Sequence, residues 1–177
     1  MRIKKNPKLM SSKEINFQQY VHKNNIEFCG IPDNISGNKL QQKLIEIADA
    51  INVKIEPSEI EAYHRLPKGD KDKNAKTIVR FVIRKMCDTL HLNKKKLKTT
   101  NLVDLGINDS VYINCNLCPY NKFLWGKCKQ LHNSKLIDRF WVYNGNLYFA
   151  CDKNEYGKKI QHFNDLAKEF PGFDFSS

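Results

Sequence analysis

Apolar positions recur with two periods along the chain, and these periods predict a mixed α+β fold. A period of two is typical of strands and appears at residues 77–82, where Val79 and Phe81 alternate with Arg80. A helical period appears at residues 40–51, where apolar side chains return at i, i+4, i+7 and i+11. From residue 24 to residue 117 the predicted order is β-α-β-β-α-β: strand 25–31, helix 40–51, strand 60–66, strand 77–82, helix 86–90 and strand 111–115.

This order is that of the split βαβ arrangement, in which four antiparallel strands carry two helices on one face. The opposite face of the sheet stays open, and such a face requires solvent or a partner. In the strand at 60–66, the alternate series that starts at Ile60 is expected to face the helices. Tyr63 and Arg65 then stand on the open face beside Arg80.

After residue 117 the pattern changes and predicts a second, small α-β-β-α domain at residues 118–171. Pro119 is well placed in the first turn of the first helix. Asn144-Gly145-Asn146 lies between two β-prone runs, which is a strong hairpin signal. A last helix is predicted at residues 158–170, and residues 172–177 are expected to form a tail.

Positive charge dominates the chain, with 30 lysines and arginines against 19 acidic residues and a formal net charge of +11. Such a balance suits phosphate backbones or anionic membranes as partners. Residues 1–23 are basic and weakly periodic, so we expect this N-terminal segment to be disordered. The densest positive run lies at residues 84–100, where Asp88 is the only acid.

The start of the chain lacks a signal-peptide core, and no apolar run approaches the length of a membrane span. The six cysteines are therefore expected to be reduced thiols of an intracellular protein in the cytoplasm, the nucleus or both. No phosphate-binding glycine loop, nucleophile elbow or paired His/Glu signature is found, so we expect neither catalysis nor a cofactor.

Four residues form a candidate zinc set, and a small zinc-binding module is kept as an alternative. They are Cys115, Cys118, Cys128 and His132. The predicted helix would separate Cys118 from Cys128 by roughly 15 Å. Metal binding is therefore not expected.

The remaining candidate residues are of the types that form a binding surface for a polyanion. Guanidinium groups fork onto phosphate oxygens or stack on bases, and aromatic rings stack on bases. Two alternative interpretations stay open. In the first, Arg65 pairs with Glu27 and Arg80 pairs with Glu61. In the second, which concerns the other domain, Trp141 packs in the core. The candidate nucleic-acid-binding residues are Tyr63, Arg65, Arg80, Arg84, Lys85, Lys94, Lys95, Lys96, Lys98, Arg139, Trp141, Tyr143 and Tyr148.

Several motifs in a fixed order resemble one protein family. They are Tyr20 with residues 24–32 (NNIEFCGIP), 62–67 (AYHRLP), 78–81 (IVRF), 111–114 (VYIN), 117–121 (LCPYN) and 143–148 (YNGNLY). Together they resemble the RNA-binding protein encoded by the first reading frame of LINE retrotransposons. In the same segments the chain is similar to the baculovirus few-polyhedra (FP) protein and its C-terminal domain relatives in arthropods.

The resemblance implies an RNA-recognition-motif-like (RRM-like) domain at residues 24–117 and a small C-terminal domain that together clamp single-stranded RNA or DNA. LINE members are nucleic-acid chaperones without catalysis. The FP relatives imply, as an alternative, an interaction protein in nucleocapsid or envelope-protein traffic. Many members form trimers through a coiled coil before the first strand. No heptads precede Ile15 here, so self-association stays open and a trimer is not expected.

The RNA-recognition fold usually offers stacking aromatics on its first and third strands. The outward positions of those strands are predicted here to be Glu27, Cys29, Ile78 and Arg80. Recognition is therefore expected to depend on phosphate contacts and to be weakly sequence-selective.

Overall fold

Two antiparallel sheets organise the residues that the structure describes. The computed structural model describes residues 10–70 and 72–175. One unit consists of residues 23–116, and the other joins the described residues before 23 to those after 116. The predicted mixed α+β class is confirmed.

The α-helices of the described residues are α1 Ser12–Val21, α2 Gly37–Ala50, α3 Arg84–Asn93, α4 Pro119–Asn133 and α5 Phe163–Glu169. The strands are β1 Asn25–Cys29, β2 Ile60–Arg65, β3 Thr77–Phe81, β4 Tyr112–Cys115, β5 Arg139–Tyr143, β6 Asn146–Ala150 and β7 Lys158–Ile160.

The sheet of the unit at 23–116 has the strand order β2-β3-β1-β4, and all neighbouring strands are antiparallel. The apolar stripe of α2 and the buried residues of α3 pack on one face of this sheet. Each large apolar side chain buried there contributes roughly 1.5–3 kcal/mol. The most fully buried members of this core are Ile26, Phe28, Ile31, Leu44, Ile47, Ile51, Val79, Phe81, Leu90, Ile107 and Ile113.

A β-bulge in β2 overturns the predicted facing of this strand. Ile60 lies opposite Phe81, but the next pair joins Ala62 to Arg80, so β2 carries one extra residue at Glu61. One extra residue moves every later side chain of a strand to the other face. Residues 63 and 65 therefore lie on the helix side of the sheet, and the prediction that they stand on the open face is wrong.

The predicted disorder at residues 1–23 is wrong for residues 12–21, which form α1. The side chain of Ser11 caps this helix in a capping box with Glu14. Ile15 is buried in the core of the unit that contains residues 117–175. The Gln19 side-chain oxygen accepts hydrogen bonds from the Cys118 amide at 3.0 Å and the Asn121 side chain at 2.9 Å. Residues 1–9 lie outside the described residues.

The second unit contains a third strand where a helix was predicted to begin. β7 pairs with β6, so the three-stranded sheet has the order β5-β6-β7, and α5 starts only at Phe163. Ile160 fits the helical spacing of the following apolar residues. It belongs to β7 instead, where it lies opposite Leu147 and its side chain is buried. His162 and Asp165 form the capping box that sets the real helix start.

The predicted tail at 172–177 is packed as far as the structure describes it. Phe173 and Phe175 contact the core of the second unit, and Lys127 Nζ donates to the Phe175 carbonyl at 2.6 Å. Residues 176 and 177 lie outside the described residues. Within the described part of the chain, no helix has the length and apolar character needed to cross a bilayer.

Candidate nucleic-acid interface

Arg65, the last residue of β2, is a structural residue whose guanidinium binds the turn that follows β1. Its Nη1 donates to the carbonyls of Ile31 at 2.9 Å and Ala75 at 2.8 Å. Its Nη2 donates to the carbonyls of Pro32 at 2.6 Å and Ile35 at 3.1 Å. Burial lowers the pKa of this guanidinium, and the nearby Asp33 carboxylate opposes the change. These bonds leave Arg65 turned away from the open face, so it is no longer a candidate for phosphate binding.

Tyr63 is also placed inward by the bulge. Its ring packs against the core of the first unit, and its hydroxyl donates to the Gly37 carbonyl at 3.4 Å. The alternative in which Arg65 pairs with Glu27 is also wrong, because Arg65 contacts backbone carbonyls and Asp33 instead. Tyr63 and Arg65 therefore hold the sheet to α2 and its preceding turn.

Arg80 remains on the open face but carries a partner. Its Nε lies 2.9 Å from a carboxylate oxygen of Glu61, and its side chain is 51% exposed. This geometry agrees with the alternative interpretation, in which Arg80 forms an ion pair with Glu61. Exposed pairs of this kind contribute at most about 1 kcal/mol. Arg80 can still leave Glu61 for a phosphate, though at the cost of that pair.

Tyr112 is an exposed aromatic residue of the open face that the sequence analysis did not select. It lies opposite Cys29 on the edge strand β4 and is 58% exposed. Its neighbours Val111 and Ile113 are buried. The alternation of this strand already indicated an outward position for Tyr112. The candidate aromatic residues of the first domain included Tyr63 of the second strand but none of the fourth, so Tyr112 was missed.

The lysine cluster, residues Lys94, Lys95, Lys96 and Lys98, follows α3 as a 3₁₀ helix. Leu97 turns inward and packs against the core of the first unit. The hydroxyls of Thr99 and Thr100 donate to the Lys96 carbonyl at 3.1 Å and 2.8 Å, which ends the turn. The lysines are thereby held on a defined turn at the C-terminal end of a helix, where positive charge is favourable.

The positive residues around this cluster differ in their partners. Arg84 forms an ion pair with Asp88, with Nε 3.7 Å from the carboxylate oxygen, and Lys96 Nζ donates to the Ile51 carbonyl at 3.2 Å. Within the described residues no carboxylate lies within ion-pair distance of the others. These unpaired cations are Lys85, Lys94, Lys95 and Lys98. They form the positive surface of the first unit.

The second unit presents a separate aromatic face, made by Arg139, Trp141, Tyr143 and Tyr148. The Trp141 and Tyr148 rings are stacked at a centroid distance of 5.8 Å and an interplanar angle of 14°. The Arg139 guanidinium carbon lies 5.5 Å from the centre of the Trp141 ring. Tyr143 is exposed at the end of the same strand.

Trp141 does not serve the core of its unit, which was the alternative interpretation. The side chains that β5 contributes to that core are Phe140 and Val142. Trp141 projects to the other side of the sheet, where it contacts Tyr148 and the edge at Gly157. Lys159, the register partner of Tyr148, adds an exposed cation to the same face. Interleaved cations and aromatic rings are the surface that stacked bases require.

The cysteines of the candidate zinc set are packed as neutral thiols. Cys118 and Cys128 are buried in the core of the second unit, and burial raises the pKa of Cys128 to about 12. In the first unit, Cys115 Sγ lies 2.9 Å from Nδ1 of His91. In the part of the chain that the structure describes, no three potential ligands converge as a metal ion would need.

No protein-family model matches this chain, and no curated protein is significantly similar to it.

Proposed function

We propose that this protein is a non-catalytic single-stranded RNA- or DNA-binding protein of the LINE or FP type. The observation that carries the proposal is the aromatic face, where Trp141 and Tyr148 stack outward beneath Arg139. Base–aromatic stacking contributes about 1–3 kcal/mol per base and tolerates any sequence. The lysine cluster of the other unit supplies the charge that attracts a phosphate backbone.

We further propose that the unit at 23–116 is RRM-like. The strand order β2-β3-β1-β4 and the two helices packed on one face support this interpretation. The open face departs from the usual pattern, because Glu27 is buried at its centre and Arg80 contacts Glu61. Binding by this unit therefore depends on its β4 edge and the lysine cluster more than on the middle of the sheet.

The proposal is tested by titrating the full chain with labelled single-stranded and double-stranded oligonucleotides over a series of salt concentrations. Single strands are expected to bind more tightly. The logarithm of the association constant should fall linearly with the logarithm of salt, with a slope of about −0.7 per phosphate contact. Binding that is independent of salt, or a preference for duplex, would contradict the proposal.

A matched pair of variants separates the lysine cluster from net charge. Lys95→Gln with Lys98→Gln removes two exposed cations of the cluster. Lys39→Gln with Lys54→Gln removes two exposed cations from the α2 side of the unit. The first double variant should weaken binding and flatten the salt slope by roughly 1–1.5, whereas the second should leave both nearly unchanged. Equal effects would mean that only net charge matters.

A protein-interaction role of the FP type is a second candidate, favoured by the outer side of α1. Phe17 and Val21, one helical turn apart, are 71% and 53% exposed. Exposed apolar pairs on a helix are typical of protein contact surfaces. Affinity capture from cells with and without ribonuclease separates the two functions. Partners lost after ribonuclease treatment support nucleic-acid binding, and partners that persist support the interaction role.

A further inference from the structure

We propose that the cavity between the lysine cluster and β4 is a pocket for one nucleotide of the bound strand, with the base on Tyr112 and the phosphate at Lys94. This inference rests on the proposed function. It adds a specific site in the first unit, whereas the aromatic face that carries that function belongs to the second.

The cavity has the size and polarity of a ligand site. Its volume is about 520 Å³, within the range of roughly 300–1,000 Å³ that small-molecule sites occupy. Its lining includes the cations of Lys94 and Lys98 together with Tyr112 and Asn114 of the edge strand. Apolar side chains such as Val103 also line it. A flat base and a phosphate need this combination of an apolar slot with a cation at one end.

Lys94 provides the anion-binding end of the cavity. Its side chain is half-buried, and in the described residues no carboxylate lies close enough to form an ion pair with it. Burial lowers the pKa of this amine, because hydration has been lost without a counterion to replace it. A phosphate oxygen would supply that counterion.

Charge complementarity favours a nucleotide over a peptide strand at this edge. The carboxylate that also lines the cavity, Asp109, already binds Lys73 at 2.6 Å. The cavity therefore keeps the uncompensated charge of Lys94 and Lys98. Among the described residues the Asn114 amide donates to the Cys29 sulfur alone, at 3.7 Å, so its carbonyl and second N–H can meet the edge of a base.

Tyr112 provides the stacking surface. Its ring lies at the border of this cavity and of a second cavity of about 310 Å³ that is lined by Cys29, Lys76 and Ser110. This exposed aromatic residue thus borders two cavities that a flat ligand can enter. A base in the larger cavity would contact the Tyr112 ring. The adjacent nucleotide of the bound nucleic acid would then occupy the smaller cavity.

The test measures binding of a labelled single-stranded oligonucleotide to the full chain and its variants by fluorescence anisotropy. Tyr112→Leu and Lys94→Gln are each expected to weaken binding by about five- to a hundredfold, the range of one lost stacking or phosphate contact. Tyr112→Phe keeps the ring and should stay within about twofold of the parent chain. Phe17→Leu and Lys54→Gln are exposed controls and should have no effect.

Crosslinking locates the base directly. An oligonucleotide that contains 4-thiouridine is irradiated on the full chain, and the crosslinked peptide is identified by mass spectrometry. A crosslink at Tyr112 that is lost in Lys94→Gln supports the pocket. Parent-like affinity of both Tyr112→Leu and Lys94→Gln overturns it. If the Lys95 and Lys98 double variant is still weakened in that case, the proposed function stands without the pocket. Absence of binding by the parent chain contradicts both.

Discussion

Arg139 lies over the indole ring of Trp141, with the guanidinium carbon 5.5 Å from the ring centre. The same guanidinium donates from Nη2 to the Glu155 carbonyl at 3.0 Å, which fixes its position. The cation and the two stacked rings are thus arranged before any ligand arrives. A preorganised surface loses less side-chain entropy on binding than a mobile one.

This arrangement predicts that Trp141 reports and stabilises nucleic-acid binding. The chain has two tryptophans, Trp125 and Trp141. Adding a single-stranded oligonucleotide should quench the emission of Trp141, because a base bound at the aromatic face contacts this half-buried ring. Trp141→Leu should remove the quenching and weaken binding about five- to a hundredfold. Trp125→Phe is the control, since Trp125 packs against Phe140 with ring centres 4.5 Å apart. Quenching that persists in Trp141→Leu would contradict the prediction.

Gly157 gives a second test of the same surface. A Cβ atom at this position would lie 2.3 Å from Cη2 of Trp141, so the ring has to move. Gly157→Ala is therefore expected to shift the tryptophan emission and weaken binding, although no cation or aromatic ring is removed. Unchanged emission and unchanged affinity would show that the observed position of the ring is not required.

Gly126 is a control glycine for Gly157, and its substitution by alanine is expected to stabilise the protein. It lies in the interior of α4, is exposed, and a Cβ there meets no atom within 4 Å. Gly126→Ala should raise the free energy of unfolding by roughly 0.5–1 kcal/mol, because alanine restricts the unfolded chain and favours the helix. Urea denaturation measures this change. A loss of stability would mean that α4 is distorted at this turn.

Arg65 and Arg80 are predicted to behave differently on substitution, although the strand pattern gives both the same place on the open face. Arg65→Ala removes four hydrogen bonds to carbonyls of the turn after β1 and of the segment before β3. It should lower the free energy of unfolding by about 2–4 kcal/mol, with little effect on affinity at temperatures where the chain is folded. Arg80→Ala breaks an exposed ion pair and should cost less than about 1 kcal/mol. Chemical denaturation with oligonucleotide titration decides between these outcomes. A stable Arg65→Ala variant that binds weakly would restore Arg65 to the binding surface.

This difference between Arg65 and Arg80 shows where the sequence stops being informative. The periods of apolar residues located the strands and helices of residues 24–117 because local burial dictates them. The bulge at Glu61 leaves no mark on that period, since Ile60 and the residues after it still alternate. A bulge depends on the partner strand, and the facing of Tyr63 and Arg65 depends on the bulge.

The position of α1 illustrates a different limit. Its capping box, Ser11 with Glu14, is legible in the sequence, but its apolar residues are few and its burial depends on Gln19. That buried amide is satisfied by Cys118 and Asn121, which lie about a hundred residues away. No local pattern predicts such a partner. By contrast, alternation along β5 correctly placed Trp141 on one face with Arg139 and Tyr143, because strand geometry alone decides it.

Thiol chemistry offers a last prediction, which depends on burial alone. Burial raises the pKa of Cys87 and Cys128 from 9.0 to about 12. Because the thiolate is the reactive form, about one in ten thousand of these groups is ionised at pH 8, against about one in ten at the unperturbed pKa.

A disulfide reagent at pH 8 should therefore leave Cys87 and Cys128 unmodified in the native protein. All six cysteines should react after denaturation. The faster native reactions are expected at the partly exposed thiols Cys29, Cys115 and Cys151, and Cys151→Ser should remove only the label at residue 151. Mass spectrometry of the labelled peptides checks the assignment, and equal labelling of Cys128 and Cys151 before unfolding would mean that the core of the second unit opens on the timescale of the reaction.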